Sequence, residues 1–288
     1  MKERITITLD EDLLTELDNR IDGEVIKNRS QEIEAILEKS LGFTLPQKAV
    51  ILAGGKGTRL RPLTLKTPKA LVDIQGQTMT EHLFDLFKKY GIRNMILSVN
   101  YLKEKIMGHF EDGSKFGVNV DYVEENEPLG TAGALRLLKD KLKGAFIVSN
   151  GDELKDINIP RMYRLHKRKN ALVTIALTTV EDPSQYGVAR LDGSRIVEFV
   201  EKPKKEDAPS NLINSGFYII EPEVIDMIGP GFQMFETDIF PKIAAMGRLR
   251  GFPFSGQWFD TGNMERLERA RKLWKGLSAA DNIDDWIY

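Results

Sequence analysis

The chain is 288 residues long, 41% hydrophobic and 29% charged, with a formal net charge of −2 and no cysteine. That size suffices for a large core in one big domain plus a small one, and the lack of cysteine excludes disulfides and thiolate metal sites. A near-neutral balance gives no global sign of a polyanionic partner; no apolar stretch approaches the roughly 20 residues of a membrane span, and Met-Lys-Glu-Arg-Ile-Thr lacks a signal peptide's apolar region, so a cytoplasmic protein is expected. His82, His109 and His166 are scattered rather than paired at metal-ligand spacing, and each reads as a solvated or structural histidine.

In chain order, the first pattern is Arg4-Ile5-Thr6-Ile7-Thr8-Leu9, an unbroken alternation that predicts a half-buried strand. Asp10 stands at an N-cap position ahead of Leu13, Leu14, Leu17 and Ile21 at helical spacing, and Asp22-Gly23 closes that run. Asn28 can cap a second helix with Gln31 three residues on; Ile33, Ile36, Leu37 and Leu41 make its stripe, and Gly42 stops it. One strand and two short helices leave the strand's backbone groups unpaired, so residues 1–42 are expected to pair with a second copy, giving a homodimer or higher assembly. Residues 43–47, aperiodic and carrying Pro46, read as a linker. Up to Leu45 the segment has six Lys/Arg against eleven Asp/Glu, a local balance of −5 that opposes a polyanion unless Lys2, Arg4, Lys27 and Arg29 gather on one face.

From Lys48 the texture changes. Short β-rich runs (Ala49 to Ala53, Asn94 to Val99, Ala145 to Ser149, Ala171 to Thr178) alternate with helical patterns at Thr80 to Tyr90, Leu102 to Phe110, Thr131 to Leu142 and Ile159 to Lys169. Such alternation predicts an α/β domain over 48–288, with a mostly parallel Rossmann-like sheet covered by helices on both faces. After Gln185 come two hairpin-like strands, Gly187 to Leu191 and Ile196 to Glu201, expected as an antiparallel flap over the sheet's edge, and the domain closes with a charged helix, Asn263 to Lys275.

The segment after the first of these runs, Leu52-Ala-Gly-Gly-Lys-Gly-Thr-Arg-Leu-Arg-Pro62 and then Thr67-Pro-Lys69, carries the clearest chemistry. Gly54, Gly55 and Gly57 lack side chains, so backbone N–H groups can close on phosphate oxygens while Lys56, Arg59, Arg61 and Lys69 answer the charge. The spacing fits neither the Walker A loop nor the Rossmann fingerprint, so this is another kind of phosphate loop. In open α/β sheets ligands bind beyond the carboxyl ends of the strands, where this loop, Asn150-Gly151-Asp152 and Trp258-Phe259-Asp260 all fall. Asp152 and Asp260 are the candidate ligands of Mg2+, a hard cation usually held by one or two carboxylates plus substrate phosphates.

At these residues the chain resembles the sugar-1-phosphate nucleotidyltransferases. Pro128-Leu-Gly-Thr-Ala-Gly-Ala-Leu135, Asn150-Gly-Asp152, Tyr186-Gly-Val188, Glu201-Lys-Pro203, Asn214-Ser-Gly216 and Trp258-Phe-Asp-Thr-Gly262 follow in the family's order. The resemblance implies that a nucleoside triphosphate and a sugar 1-phosphate give an NDP-sugar and pyrophosphate. It assigns Ala53, Gly54, Gly55, Gly57, Thr58, Gly130 and Thr131 to the nucleotide. Arg59 and Lys69 would draw charge from the triphosphate, Asp152 and Asp260 would hold the metal, and Lys202 would hold the sugar phosphate. Gly187, Glu201 and Asn214 would contact the sugar. Ala70, in place of a frequent proline, and Asn263-Met264, in place of a common Thr-Pro, depart from the family's pattern. The block around Gly130 looks most like members using GTP and mannose 1-phosphate, while uridylyl and thymidylyl relatives acting on glucose 1-phosphate share most motifs. A second reading is a transcription regulator that senses a nucleotide sugar without turning it over.

Residues 1–42 resemble the ribbon-helix-helix DNA-binding modules, whose strands pair antiparallel in a dimer. That implies Arg4, Thr6 and Thr8 projecting into the major groove of double-stranded DNA, with Arg29 and Ser30 at phosphate. The alternative for this segment is an assembly device with no nucleic-acid contact.

Overall fold

The computed structural model describes residues 5–21, 26, 28–40 and 44–278, which fall into two compact units, one containing the first two helices and one spanning Pro46–Leu277. Arg4 lies outside the described residues. In the first unit, α1 (Glu11–Asp18) starts where the Asp10 carboxylate accepts the Asp12 N–H, and α2 (Arg29–Ser40) where the Asn28 side chain accepts the Gln31 N–H at 3.0 Å. Both expected caps are present. The expected strand is not: residues 5–9 form no strand, and Ile5 and Ile7 stand 71% and 48% exposed. A ribbon strand satisfies its backbone only against another strand, and one chain offers this segment none. Arg29 grips Asp18 through two 2.6 Å hydrogen bonds, so the guanidinium expected at phosphate already has a carboxylate partner, while Thr6, Thr8 and Ser30 are exposed.

The second unit runs through β1 (Lys48–Leu52), β2 (Asp73–Ile74), β3 (Gln77–Thr78), α3 (Met79–Lys89), β4 (Asn94–Val99), α4 (Lys103–Phe110), β5 (Asn119–Glu124), α5 (Gly130–Gly133) and β6 (Phe146–Asn150). It continues through β7 (Glu153–Lys155), α6 (Ile159–Arg168), β8 (Val173–Thr179), β9 (Gly187–Asp192), β10 (Arg195–Glu201), β11 (Leu212–Ile220), α7 (Phe240–Ala245), β12 (Leu249–Pro253), β13 (Trp258–Asp260) and α8 (Met264–Leu273). Nine strands join one sheet in the order β5-β4-β1-β6-β11-β8-β12-β10-β9. β1 is buried over Ala49, Val50 and Ile51, and β11 over eight successive residues. Continuous burial of this kind marks strands covered on both faces.

The expectation of a mostly parallel sheet needs correction. β5, β4, β1 and β6 are parallel, as is the β8–β12 pair, but β11 runs antiparallel to both β6 and β8, and β10 antiparallel to β12 and β9. The β9–β10 hairpin is accordingly no flap over the sheet; it extends the sheet's far end, where its main-chain groups are paired through β12 and β11. The predicted long helix from Thr131 is one turn, α5, followed by a 3₁₀ stretch at Ala134–Leu138. α3 carries a full capping box between Thr78 and Glu81, as its Thr-x-x-Glu spacing favours. The histidines are structural: His166 is fully buried between Thr174 and Glu221, His82 meets the Ile74 carbonyl, and His109 meets Glu81. Among the described residues no helix is long and apolar enough to cross a membrane.

Candidate active site

The carboxyl ends of β1 and β6 lie side by side, with Leu52 opposite Asn150. β1 delivers the glycine-rich loop, and β6 delivers Asn150-Gly151-Asp152. Gly151 donates to the Leu52 carbonyl at 3.0 Å, and a side chain at 151 would put its Cβ 2.7 Å from that same oxygen. A glycine there is therefore what lets the Asp152 backbone turn close over the end of β1.

A cavity of about 320 Å³ opens at this point. Ala53, Gly54, Gly55, Lys69, Gly130, Thr131 and Asp152 line it, which is most of the residues the sequence assigns to nucleotide and metal. Gly130 adopts φ +79°, and a Cβ there would fall 2.4 Å from the Gln233 carbonyl oxygen. Only glycine takes that backbone state without strain while the 233 backbone crosses so closely. Gly57, Thr58, Arg59, Lys202, Gly187, Glu201 and Asn214 are not on the cavity wall.

Some of these residues have other structural duties. Gly57, at φ +58°, turns the loop so that its carbonyl accepts the Thr64 hydroxyl at 2.7 Å. The Asn214 side chain is tied to the Tyr218 hydroxyl and the Gly216 N–H. Lys202 is 63% exposed and pairs with its neighbour Glu201 at 3.2 Å. Thr131 lies on the wall, but its hydroxyl donates to Glu236 at 2.8 Å and accepts the Phe235 N–H.

The acidic corner sits beside the cavity. β7 and β13 pair antiparallel with Glu153 opposite Asp260, and Thr261 binds the Asp152 carbonyl through both its N–H, at 3.3 Å, and its hydroxyl, at 2.8 Å. The sequence-predicted aspartates are thus brought together by a two-stranded ribbon that sequence patterning left unassigned. Lys69, 11% exposed, donates to Asp152 Oδ2 at 2.7 Å. Burial pushes the Asp152 carboxyl up, but Lys69, with Lys155 and Arg59 behind it, outweighs this and holds it below the usual range. Asp260 accepts from the Tyr186 hydroxyl at 3.0 Å, the Gly262 N–H at 2.5 Å and the Arg266 guanidinium. Arg59 reaches the same place: its Nη2 lies 3.1 Å from where a Gly262 Cβ would be, beside both Asp260 oxygens.

This donor set fits a hard divalent ion. Two aspartates stand on segments tied together through Thr261, each carboxylate with a cation on an oxygen, and a magnesium ion there would take its remaining ligands from water and phosphate. No group of three His, Cys, Asp or Glu side chains able to hold a metal ion occurs among the described residues.

Sequence reasoning missed the layer beneath. The Lys155 ammonium is fully buried and donates to Glu153 at 3.0 Å and to the carbonyls of Ser215 and Gly216 at 2.8 and 3.0 Å, tying β7 to a register shift in β11. Glu153 also accepts from Trp258 Nε1 and Asn150 Nδ2. Burial pushes its carboxyl up; Lys155 pulls the other way, Asp152 and Asp260 add to the rise, and the result is about 7. The alternation of Glu153, Leu154 and Lys155 was the available signal. Glu125, a cavity residue at the end of β5, was missed as well; it accepts from the Ser98 hydroxyl at 2.5 Å and the Leu129 N–H at 2.9 Å, fixing the segment before Gly130.

The sequence profile of the nucleotidyl transferase family matches residues 48–275. A mannose-1-phosphate guanyltransferase of Yarrowia lipolytica is 40% identical over 223 residues, 75% of this chain and 60% of that protein. The chain spans about three fifths of the length of the curated relatives it matches. Among solved structures, a Bacillus anthracis protein provisionally described as a glucose-1-phosphate thymidylyltransferase, in complex with a sucrose, superposes with a TM-score of 0.74 at 26% identity, covering 82% of this chain and 98% of its own. HddC from Yersinia pseudotuberculosis complexed with GMP-PN superposes at 0.67 with 29% identity, covering 78% and 98%.

Proposed function

We propose that this chain, which belongs to the nucleotidyl transferase family, transfers the nucleotidyl group of GTP to mannose 1-phosphate, giving a nucleoside diphosphate sugar and releasing pyrophosphate. The observation that carries the reading is the junction of β1 and β6. There a side-chain-free loop forms the cavity wall, and the Lys69–Asp152 pair stands beside it with Asp260 held close by through Thr261. The choice of GTP and mannose 1-phosphate is favoured by the mannose-1-phosphate guanyltransferase relative and by the GMP-PN in the HddC complex.

The sugar phosphate oxygen attacks the α-phosphorus in line, and pyrophosphate leaves. A phosphate monoester's second pKa lies near 6, so the nucleophile is already largely dianionic at neutral pH and needs no protein base. The chain's part is to position reactants and spread charge. Gly54 and Gly55 let the backbone approach the phosphates, Lys69 and Arg59 draw charge from them, and Gly130 allows the base and ribose to lie against bare backbone. Lys202, on an exposed turn, swings to the sugar phosphate, freeing Glu201 to accept from sugar hydroxyls. Asp152 and Asp260 would hold Mg2+, which supplies charge neutralisation at the α-phosphate and the leaving group.

The test is pyrophosphate release across a matrix of nucleoside triphosphates and sugar 1-phosphates with magnesium. GTP with mannose 1-phosphate should dominate; dominance of a thymidylyl or uridylyl pair with glucose 1-phosphate would move the assignment within the family. No turnover with any pair would favour a nucleotide-sugar sensor. For residues 1–42 the proposal is a ribbon-helix-helix dimer, supported by the two observed caps and by the exposed Ile5 and Ile7. Salt-dependent retention of duplex DNA that is lost on Arg4→Ala would assign it to DNA; equal retention would leave it an assembly device.

A further inference from the structure

Asp260 is the proposed metal ligand that is already occupied from both sides. Its Oδ1 takes the Gly262 N–H, while its Oδ2 takes the Tyr186 hydroxyl and the Arg266 guanidinium. Arg266 comes from the first turn of α8, whose start is fixed by Asn263 accepting the Arg266 N–H at 2.9 Å, and its guanidinium lies 5.3 Å over the Tyr186 ring. It is not a buried strut: its side chain is 29% exposed.

Next to it lies a cavity of about 510 Å³, separate from the nucleotide cavity, whose wall includes Glu181, Asp182, Tyr186, Trp258, Asp260 and Arg266. The carboxylates of Glu181 and Asp182 stand on that wall together with a second guanidinium, Arg269. Asp182 is held below the usual carboxylate range chiefly by hydrogen bonds from Ser184, with Lys205 and Arg266 adding to the effect. A guanidinium leaving Asp260 thus has open space, with the carboxylates of Glu181 and Asp182 on the same cavity wall.

A divalent cation on Asp260 is repelled by a guanidinium held against the same carboxylate, and the cost of moving that guanidinium away falls when the displaced charge finds a new partner. We propose that Arg266 is a built-in stand-in for the divalent cation: it neutralises Asp260 in the metal-free site, yields when a metal ion enters, and swings into the neighbouring cavity toward Glu181 and Asp182. Arg266 is thereby a positioning residue that sets how readily the site fills, so that metal does not settle there until substrate phosphates supply the remaining ligands. The inference rests on the reading of Asp260 as a metal ligand.

The experiment is a titration of the full chain with Mn2+ alone, without nucleotide, read as free Mn2+ by electron paramagnetic resonance. Arg266→Gln should tighten Mn2+ binding about threefold to fivefold, the scale of a part-exposed ion pair. Asp182→Asn, which keeps the turn to Ser184, should weaken binding in the unaltered chain by about twofold and change nothing in the Arg266→Gln background, because the displaced charge is then gone. An additive pair of effects, or an Arg266→Gln chain that binds Mn2+ no more tightly, would overturn the proposal. Arg266→Lys retains a charge without the planar fork and should fall between; a Lys variant that binds more tightly than Gln would also count against it. Asp260→Asn separates the two readings. If it leaves Mn2+ binding unchanged, Asp260 is not a ligand and the underlying site assignment fails; if it abolishes binding while Arg266→Gln has no effect, only the stand-in role fails.

Discussion

The two compact units differ in where their backbone hydrogen bonds are completed. In the unit spanning Pro46–Leu277 every strand of the sheet finds its neighbour within the chain, and the core beneath it is continuous from Val50 through Tyr218 to Phe240. In the first unit the caps and helices form as the sequence directs, yet residues 5–9 stay unpaired and Ile5 and Ile7 face outward. The lesson is that local chemistry builds a helix within one chain, whereas an alternating pattern becomes a strand only where another strand pairs with it. The proposed chemistry draws only on groups that the large unit positions for itself.

That contrast can be broken most forcefully at Asp152. Asp152→Ala removes a proposed metal ligand and leaves the Lys69 ammonium without its partner, so pyrophosphate release should fall at least about a hundredfold. Full rate in this variant would remove the catalytic role from the large unit. Gly130→Ala is the next largest. The forced φ of +79° and the clash with the Gln233 carbonyl should cost about 2 kcal/mol and raise the KM for the nucleotide, seen as a thermal midpoint lower by several degrees. An unchanged KM would mean that the nucleotide does not lie against this backbone.

Glu153 sharpens the comparison through pH. Folding raises its pKa from 4.5 to about 7, so the folded state holds a proton that the unfolded chain has released across that window. Its contribution is full below pH 4.5 and is lost as pH rises through 7. Compared with Glu153→Gln, which does not titrate there, the unaltered chain should lose about 2 kcal/mol of stability between pH 5 and pH 8, read by urea denaturation. Parallel stability curves would contradict the burial argument. The smallest effect on chemistry belongs to the first unit. Ile7→Asp should shift the chain toward monomer in analytical ultracentrifugation while leaving the turnover rate within about twofold; an equally strong loss of turnover would mean that the units act together.

The legibility of the molecule follows the same physics. β1, β4, β6 and β8 were readable because strands buried on both faces leave near-continuous apolar runs, and the glycine loop because few other chemistries need three glycines and several cations together. The β9–β10 hairpin was readable as an antiparallel pair, but β11 and the place of that hairpin within the sheet were not, since those are set by pairing across long sequence separations. The pairing of β7 with β13, which brings Asp152 to Asp260, joins segments about a hundred residues apart and leaves only three-residue traces. Lys202 and Glu201 were named as ligands and are found paired to each other at the end of β10, a contact between sequence neighbours that no pattern in the chain distinguishes from substrate binding.

The most direct test of the central claim follows the α-phosphorus itself, by incubating the full chain with magnesium, mannose 1-phosphate and GTP labelled at that atom. The label should pass into a nucleoside diphosphate sugar while unlabelled pyrophosphate appears in equal amount, with neither product formed when the sugar phosphate is left out. Label recovered only in GTP, or released as GMP or GDP without the sugar, would contradict the account.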